Sequence, residues 1–203
     1  MLVLASASPR RRELLTQAGY KFEIHPAHIP EDPLPNEDPI AYVTRLAREK
    51  AEAVFSKLSP SDPDLLVLGS DTTVVLDNQI LGKPEDAADA FRMLRLLSGR
   101  THRVITGVSL VSAMPGQNST EGAPARAAST AAEVTAVQFL SLSEAEIAAY
   151  IATGEPNDKA GAYAIQGHAA RWIPRIEGCY FNVVGLPISL VATLLDAHPT
   201  SLA

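Results

Sequence analysis

Three observations predict an α/β domain built on a mixed sheet. Short apolar runs bounded by turn formers alternate with stretches of helical period. Two β-branched or apolar runs flank Asp77-Asn78, a hairpin signal that adds strands of the opposite direction. The 203 residues, 46% hydrophobic and 20% charged, suffice for one domain with a sizeable core.

The elements follow in order. Leu2 to Ala5 reads as a buried strand, four apolar residues closed by Ser6, Ser8 and Pro9. Glu13 to Ala18 continues a helix that Gly19 stops. Tyr20 to His25 alternates as a strand does. Ala27 to Pro39 holds four prolines and four acidic residues and reads as a loop. Ile40 to Leu58 is predicted to be a helix, with Ile40, Val43, Leu46, Ala47, Ala51 and Val54 on one face.

Leu65 to Leu68 is the most hydrophobic run and reads as a central strand. Thr73 to Leu76 and Gln79 to Leu81 form the hairpin around Asp77-Asn78. Ala87 to Leu97 is an amphipathic helix closed by Gly99, and Thr101 to Ser112 is a long β-branched strand. Ala113 to Ala131, rich in Pro, Gly, Ser, Thr and Ala, reads as a mobile excursion. Glu133 to Leu140 alternates again. Ser143 caps a helix through Ile151, with Glu146 completing a capping box. Strands near Trp172 to Val184 and a helix after Pro187 complete the chain. No repeat and no domain linker stands out, so residues 1–203 read as a single domain.

Composition excludes several classes. A net charge of −6 argues against general binding to nucleic acid or to an anionic membrane. Nothing approaches the roughly 18 apolar residues of a membrane span. The first apolar run is too short for a secretory signal, and its arginines follow it. The single cysteine, Cys179, forms no intrachain disulfide and is most simply a small buried residue. A cytoplasmic location is the expectation. The five histidines lack the spacing of a metal site. Walker, Rossmann and serine-elbow patterns are absent.

Local chemistry concentrates at two places. In MLVLASASPRRRELL, hydroxyls at a strand end precede Arg10, Arg11 and Arg12 at a helix start. Unpaired helix N-terminal N–H groups and guanidinium forks make an anion cradle, which points to a phosphate-bearing small ligand. Gly69-Ser70-Asp71-Thr72-Thr73 directly follows the most buried strand, where α/β proteins place ligands. Asp71 is there a metal ligand or general base, or else the start of a turn.

Other residues carry paired readings. Lys83, in the turn Leu81-Gly82-Lys83-Pro84, can contact phosphate or be solvated. Lys50, in RLAREK, reads first as part of a charged, exposed helix face. Glu31 reads as a solvated loop carboxylate. Gln166 ends a segment dense in turn residues, and its amide can read the edge of a base or stay exposed.

The segments LASASPRR, RLAREKA, GSDTTVV, LGKP, THRVITGV, EPNDKAGAYAIQG and IEGCYFNVVGLP, in this order from Leu4 to Pro187, resemble the Maf family of septum-formation-inhibitor-like nucleotide pyrophosphatases. The resemblance implies an elongated α/β fold with a central mixed sheet and a cleft between two lobes, similar to inosine triphosphate pyrophosphatase. It implies hydrolysis of a nucleoside triphosphate to the monophosphate and pyrophosphate with a divalent cation, Mg²⁺ or Mn²⁺. Asp71 matches the catalytic aspartate. Ser8 and Arg11 match the phosphate-binding loop, and Glu31, Lys50 and Lys83 match other polar residues of the cleft. Glu31 and Asp71 would hold the cation. Arg10, Thr72 and Gln166 stand where two branches of the family differ. SPRRR, SDTT and IQG look like the branch acting on dTTP and UTP, with modified pyrimidine nucleotides included.

Two alternatives stay open at this point: a nucleotide-binding regulator of cell division or septum formation, and a 7-methyl-GTP pyrophosphatase. The oligomeric state is open too, a homodimer among the options. The chain departs from the family at Ala164, where glycine is usual, and in the length of the 113–131 excursion.

Overall fold

A three-residue strand, β1 (Leu2–Leu4), lies between two parallel neighbours in the computed structural model, which describes residues 1–58, 64–118 and 124–198. Its side chains are all buried. Each such aliphatic side chain contributes about 1.5–3 kcal/mol on burial, enough to hold a strand this short in place. On one side it pairs with β2 (Glu23–Ile24), on the other with β3 (Leu66–Leu76), in the register Leu2↔Leu66, Val3↔Val67 and Leu4↔Leu68. The predicted strand Tyr20–His25 is thus reduced to two residues, both exposed.

Between these strands run α1 (Pro9–Gln17) and α2 (Pro39–Lys57). Both begin with a proline at the first helical position, where its missing N–H costs nothing. Ser8 caps α1, and Asp38 caps α2 through Ile40 and Ala41.

β3 pairs antiparallel with β4 (Gln79–Leu81). Asp77 and Asn78 turn the chain with φ of 50° and 63°, the left-handed pair that the hairpin signal predicts. α3 (Ala87–Leu97) has the predicted bounds. β5 (Thr101–Asn118) and β6 (Pro124–Gln138) follow, then α4 (Glu144–Ile151) with its capping box complete. β7 (Arg175–Glu177), α5 (Tyr180–Val184) and α6 (Ile188–Asp196) close the chain. The sheet order is β2-β1-β3-β5-β6-β7, with β4 beside β3, so it is mixed as expected.

Three expectations fail here. Residues 113–118 and 124–131 are strand, not a mobile excursion; residues 119–123 lie outside the described set. Small polar side chains weaken strand propensity, but cross-strand pairing such as Ser109 Oγ to Thr130 Oγ1 at 2.8 Å holds the ribbon. Within Trp172–Val184 only Arg175–Glu177 is strand. Tyr180–Val184 is helical, because the buried Asn182 amide donates to Val104 O and Thr135 Oγ1, both at 2.9 Å. Tertiary bonding there overrides the β propensity of aromatic and β-branched residues. Cys179 is half-buried rather than buried.

By its internal packing the chain divides into two compact units. The first comprises Met1–Asp71, Thr106–Ala132 and Gly185–Ala203; the second comprises Thr72–Ile105 and Glu133–Val184. Val3, Ala51, Val54, Phe55, Leu65, Val67 and Val111 pack the core of the first. Leu81, Met93, Leu94, Leu97, Phe139, Ile147, Tyr150 and Trp172 pack that of the second. β3, β5 and β6 contribute residues to both.

Candidate active site

β3 does not stop at Leu68. It runs through Gly69, Ser70, Asp71 and Thr72, so the predicted turn or strand-end loop is strand interior. β1 ends alongside Leu68, and the chain leaves the sheet there as Ala5 N–H donates to Leu68 O at 2.8 Å. The loop Ala5–Ser8 therefore lies beside the part of β3 that carries Asp71.

Gly69 explains how a helix reaches this strand. A Cβ on it would sit 2.0 Å from Ala47 O, so only glycine lets α2 pack this closely. Lys50 lies three residues, about one turn, beyond Ala47. Its Nζ is 2.7 Å from Asp71 Oδ1 and 2.7 Å from Glu31 Oε1. Lys50 and Asp71 are buried, while the Glu31 side chain keeps 46% of its surface exposed. Lys50 is thus no solvated helix charge. Burial of its charge is tolerated because two carboxylates face it.

The loop carrying Glu31 is fixed by residues that the sequence reading overlooked. Tyr42 Oη donates to Glu31 O at 2.8 Å. Arg45 holds Glu37 with both prongs, at 2.6 and 2.7 Å, and donates from Nη2 to Asp32 O at 3.2 Å. That bonding lowers the Glu37 pKa and raises that of Arg45. Burial raises the Tyr42 phenol, with Asp71 and Glu31 adding to the effect, so it stays a neutral donor. The only sequence signal for this clamp was the i,i+4 pair Arg45–Glu49, observed at 3.2 Å.

Arg11 has a more structural task than expected. Nε donates to Gly185 O at 2.8 Å, and Nη1 donates to Ser70 O at 2.9 Å and Ser6 Oγ at 3.3 Å. Desolvation lowers its pKa, Asp71 opposes this, and Arg10 lowers it further. An arginine nevertheless remains a cation. Ser8 is the α1 cap, its Oγ accepting from Arg11 N at 3.5 Å. No acidic residue occupies the first turn of α1, so its dipole favours anions. Arg10 is half-buried on that turn and Arg12 is exposed.

Ser8, Arg10, Arg11, Glu31, Lys50 and Asp71 thus share the first unit. Thr72, Lys83 and Gln166 belong to the second. Thr72 is half-buried on β3, and Lys83 is exposed after β4. Gly82 O accepts from Gly161 N at 2.9 Å, tethering the Lys83 turn to the segment leading to Gln166. Gln166 is exposed in a turn. Ala164 lacks a left-handed backbone, so alanine there needs no strain.

The donor set suits a hard divalent cation. Glu31 and Asp71 each bring a carboxylate oxygen to Lys50 Nζ, and an ion such as Mg²⁺ is commonly held by one or two carboxylates plus phosphate and water. Among the described residues no three His, Cys, Asp or Glu form a closed metal cage.

Two carboxylates on a buried lysine, beside the Ser8-capped helix that carries Arg10 and Arg11, are thus set in an α/β fold. The family model of Maf-like protein matches residues 1–198, and the chain belongs to that family. It is 51% identical over 194 residues to the dTTP/UTP pyrophosphatase of Koribacter versatilis, covering 96% of this chain and 92% of that one. The dTTP/UTP pyrophosphatase of Xanthomonas axonopodis pv. citri is 49% identical over 197 residues, covering 97% and 98%. That of Moorella thermoacetica is 51% identical over 194 residues, covering 96% and 93%. A solved nucleoside-triphosphatase, dITP/XTP pyrophosphatase, from Mycobacterium abscessus overlaps 68% of this chain and 72% of its own with a TM-score of 0.34 and 14% identity. Among the described residues no helix is long and apolar enough to cross a membrane.

Proposed function

We propose that this chain is a nucleoside triphosphate pyrophosphatase that cleaves the α–β anhydride of dTTP and UTP, giving the monophosphate and pyrophosphate. The observation that carries the mechanism is the Glu31–Lys50–Asp71 cluster: two carboxylates and one ammonium within 2.7 Å contacts, accessible from the Glu31 side. Its chemistry suits phosphoryl transfer, which needs positioning and charge neutralisation more than covalent help.

Asp71 is assigned to the attacking water. Its Oδ1 is engaged by Lys50, so Oδ2 is the oxygen that takes the water proton or ligates a cation. Glu31 and Asp71 would together hold Mg²⁺ or Mn²⁺, which when bound would neutralise the triphosphate and lower the pKa of water. Lys50 and Lys83 supply positive charge to the phosphates. Ser8 and Arg11 shape the α1 N-terminus that receives them. Arg10, Thr72 and Gln166 are assigned to base selection, with the Gln166 amide matching the donor and acceptor pattern of the uracil or thymine edge.

Residues 1–203 act in this reading as one functional Maf-like domain, despite the two units. The identity of about half the residues with pyrophosphatases, over nearly the whole chain, favours an enzyme over a regulator that only binds nucleotide. Pyrophosphate release from dTTP, UTP, CTP and 7-methyl-GTP, with and without Mg²⁺ or Mn²⁺, tests the reading. Release is expected with dTTP and UTP. Binding without release, or a preference for 7-methyl-GTP, overturns it.

A further inference from the structure

The second unit contains a carboxylate that none of the preceding chemistry uses. Glu155 opens the 3-10 turn Glu155–Asp158, and its side chain is mostly buried. Its Oε1 accepts from Tyr150 Oη at 2.7 Å. Its Oε2 accepts from His168 N at 3.1 Å and lies 2.8 Å from His168 Nδ1. Tyr150 Oη in turn accepts from Ala164 N at 3.2 Å.

These bonds grip both ends of one five-residue segment, Ala164–His168. Ala164 is held through Tyr150 and His168 directly, while Gly167 N–H closes the turn on Ala164 O at 3.1 Å. The middle residue is Gln166. Gly167 is accommodated by the same carboxylate, since a Cβ there would sit 2.1 Å from Glu155 Oε1. Burial tends to raise the Glu155 pKa, but hydrogen bonds from His168 and Tyr150 outweigh it and lower the pKa, so the carboxylate is charged at neutral pH.

We propose that Glu155 is a positioning residue for base selection, locking the Ala164–His168 turn so that the Gln166 amide is presented in one orientation. The inference rests on the assignment of Gln166 as base reader. A preorganised amide discriminates because the wrong base leaves its donor and acceptor unpaired, whereas an amide on a loose turn swivels to suit either base. Glu155 itself need not touch the nucleotide.

The test compares kcat and KM for UTP and CTP in the wild type, Glu155→Gln, Gln166→Ala and the double variant. Glu155→Gln keeps the size but places an NH₂ against donors that the carboxylate accepts. It is expected to raise KM for UTP and lower the UTP-to-CTP ratio of kcat/KM by about tenfold, with kcat for UTP nearly unchanged. The double variant is expected to discriminate no worse than Gln166→Ala, because both changes act through one amide. Loosening of the fold alone would slow both nucleotides equally.

An unchanged ratio in Glu155→Gln, with the ratio lost in Gln166→Ala, overturns the inference. An unchanged ratio in Gln166→Ala overturns the base-reader assignment and the inference with it. Should Glu155→Gln fail to fold, Tyr150→Phe decides, since it removes only the hydroxyl that links Glu155 to Ala164. A reduced ratio supports the proposal, and an unchanged one rejects it.

Discussion

Lys50 Nζ and Asp71 Oδ1 lie 2.7 Å apart, both side chains about nine-tenths buried. One residue comes from the fourth turn of α2 and the other from the interior of β3, and the bare Gly69 lets the two elements approach. The ammonium also reaches Glu31, so one lysine neutralises both carboxylates proposed to hold the divalent cation.

Asp71→Asn keeps the shape of the side chain and an oxygen for Lys50, while removing the charge. Pyrophosphate release from dTTP is expected to fall by about 10²–10⁴-fold, the range for lost acid–base assistance. The circular dichroism spectrum should be unchanged. A twofold decrease would contradict the assignment.

Lys50→Met leaves Glu31 and Asp71 facing each other without their cation. Breaking such a pair costs about 3–5 kcal/mol when fully buried, and the half-exposed Glu31 puts the cost near the lower end. Turnover should drop and the melting temperature fall. Mg²⁺ should then raise the melting temperature of the variant more than that of the wild type, because no ammonium competes for the carboxylates. Mn²⁺ titrated calorimetrically into nucleotide-free protein should bind the variant more tightly. Equal Mn²⁺ affinity in both proteins would remove the competition argument.

Legibility in the sequence followed the range of the interactions concerned. The capping box Ser143–Glu146, the Asp77-Asn78 hairpin and α3 depend on neighbours within four residues, and all three were readable. Gly-Ser-Asp reads locally as a turn. Its place in β3, between β1 and β5 in the sheet, makes it strand interior, and the bare Gly69 leaves room for α2 against it. The charged run around Lys50 looked solvated, since its two partners lie 19 and 21 positions away along the chain. Arg11 looked like a pure phosphate ligand because the carbonyls of Ser70 and Gly185 are distant in sequence. The Maf resemblance grouped Glu31, Lys50 and Asp71 in one cleft, a grouping that periodicity did not offer.

Arg45→Lys tests the clamp on the Glu31 loop. A lysine cannot reproduce the two-pronged contact with Glu37 and also reach Asp32 O. Losing a hydrogen-bonded charged contact of this kind costs about 1.5–3 kcal/mol, measurable by urea unfolding. KM for UTP and the Mg²⁺ concentration for half-maximal rate should both rise several-fold. Arg48→Lys serves as the control. Arg48 is exposed and only 4.0 Å from Glu52, so stability and kinetics should not move. Equal effects of the two substitutions would show that Arg45 has no special role.

His102 gives the fold a specific sensitivity to acid. It is 2% exposed, packed edge-on against Phe139 and Tyr163, with Nε2 2.8 Å from Tyr163 Oη. Burial pushes its pKa down from 6.5 to about 4. Between those values the unfolded chain binds the proton and the folded chain does not. Stability is therefore intact above about pH 6.5, declines as the pH falls toward 4, and gains no further slope from this residue below that. The full effect is about 3 kcal/mol. Urea unfolding at a series of pH values should show this decline in the wild type. His102→Gln retains a polar partner for Tyr163 but does not titrate, and it should flatten the curve across the same window. A curve of unchanged steepness in His102→Gln would assign the acid sensitivity to other groups.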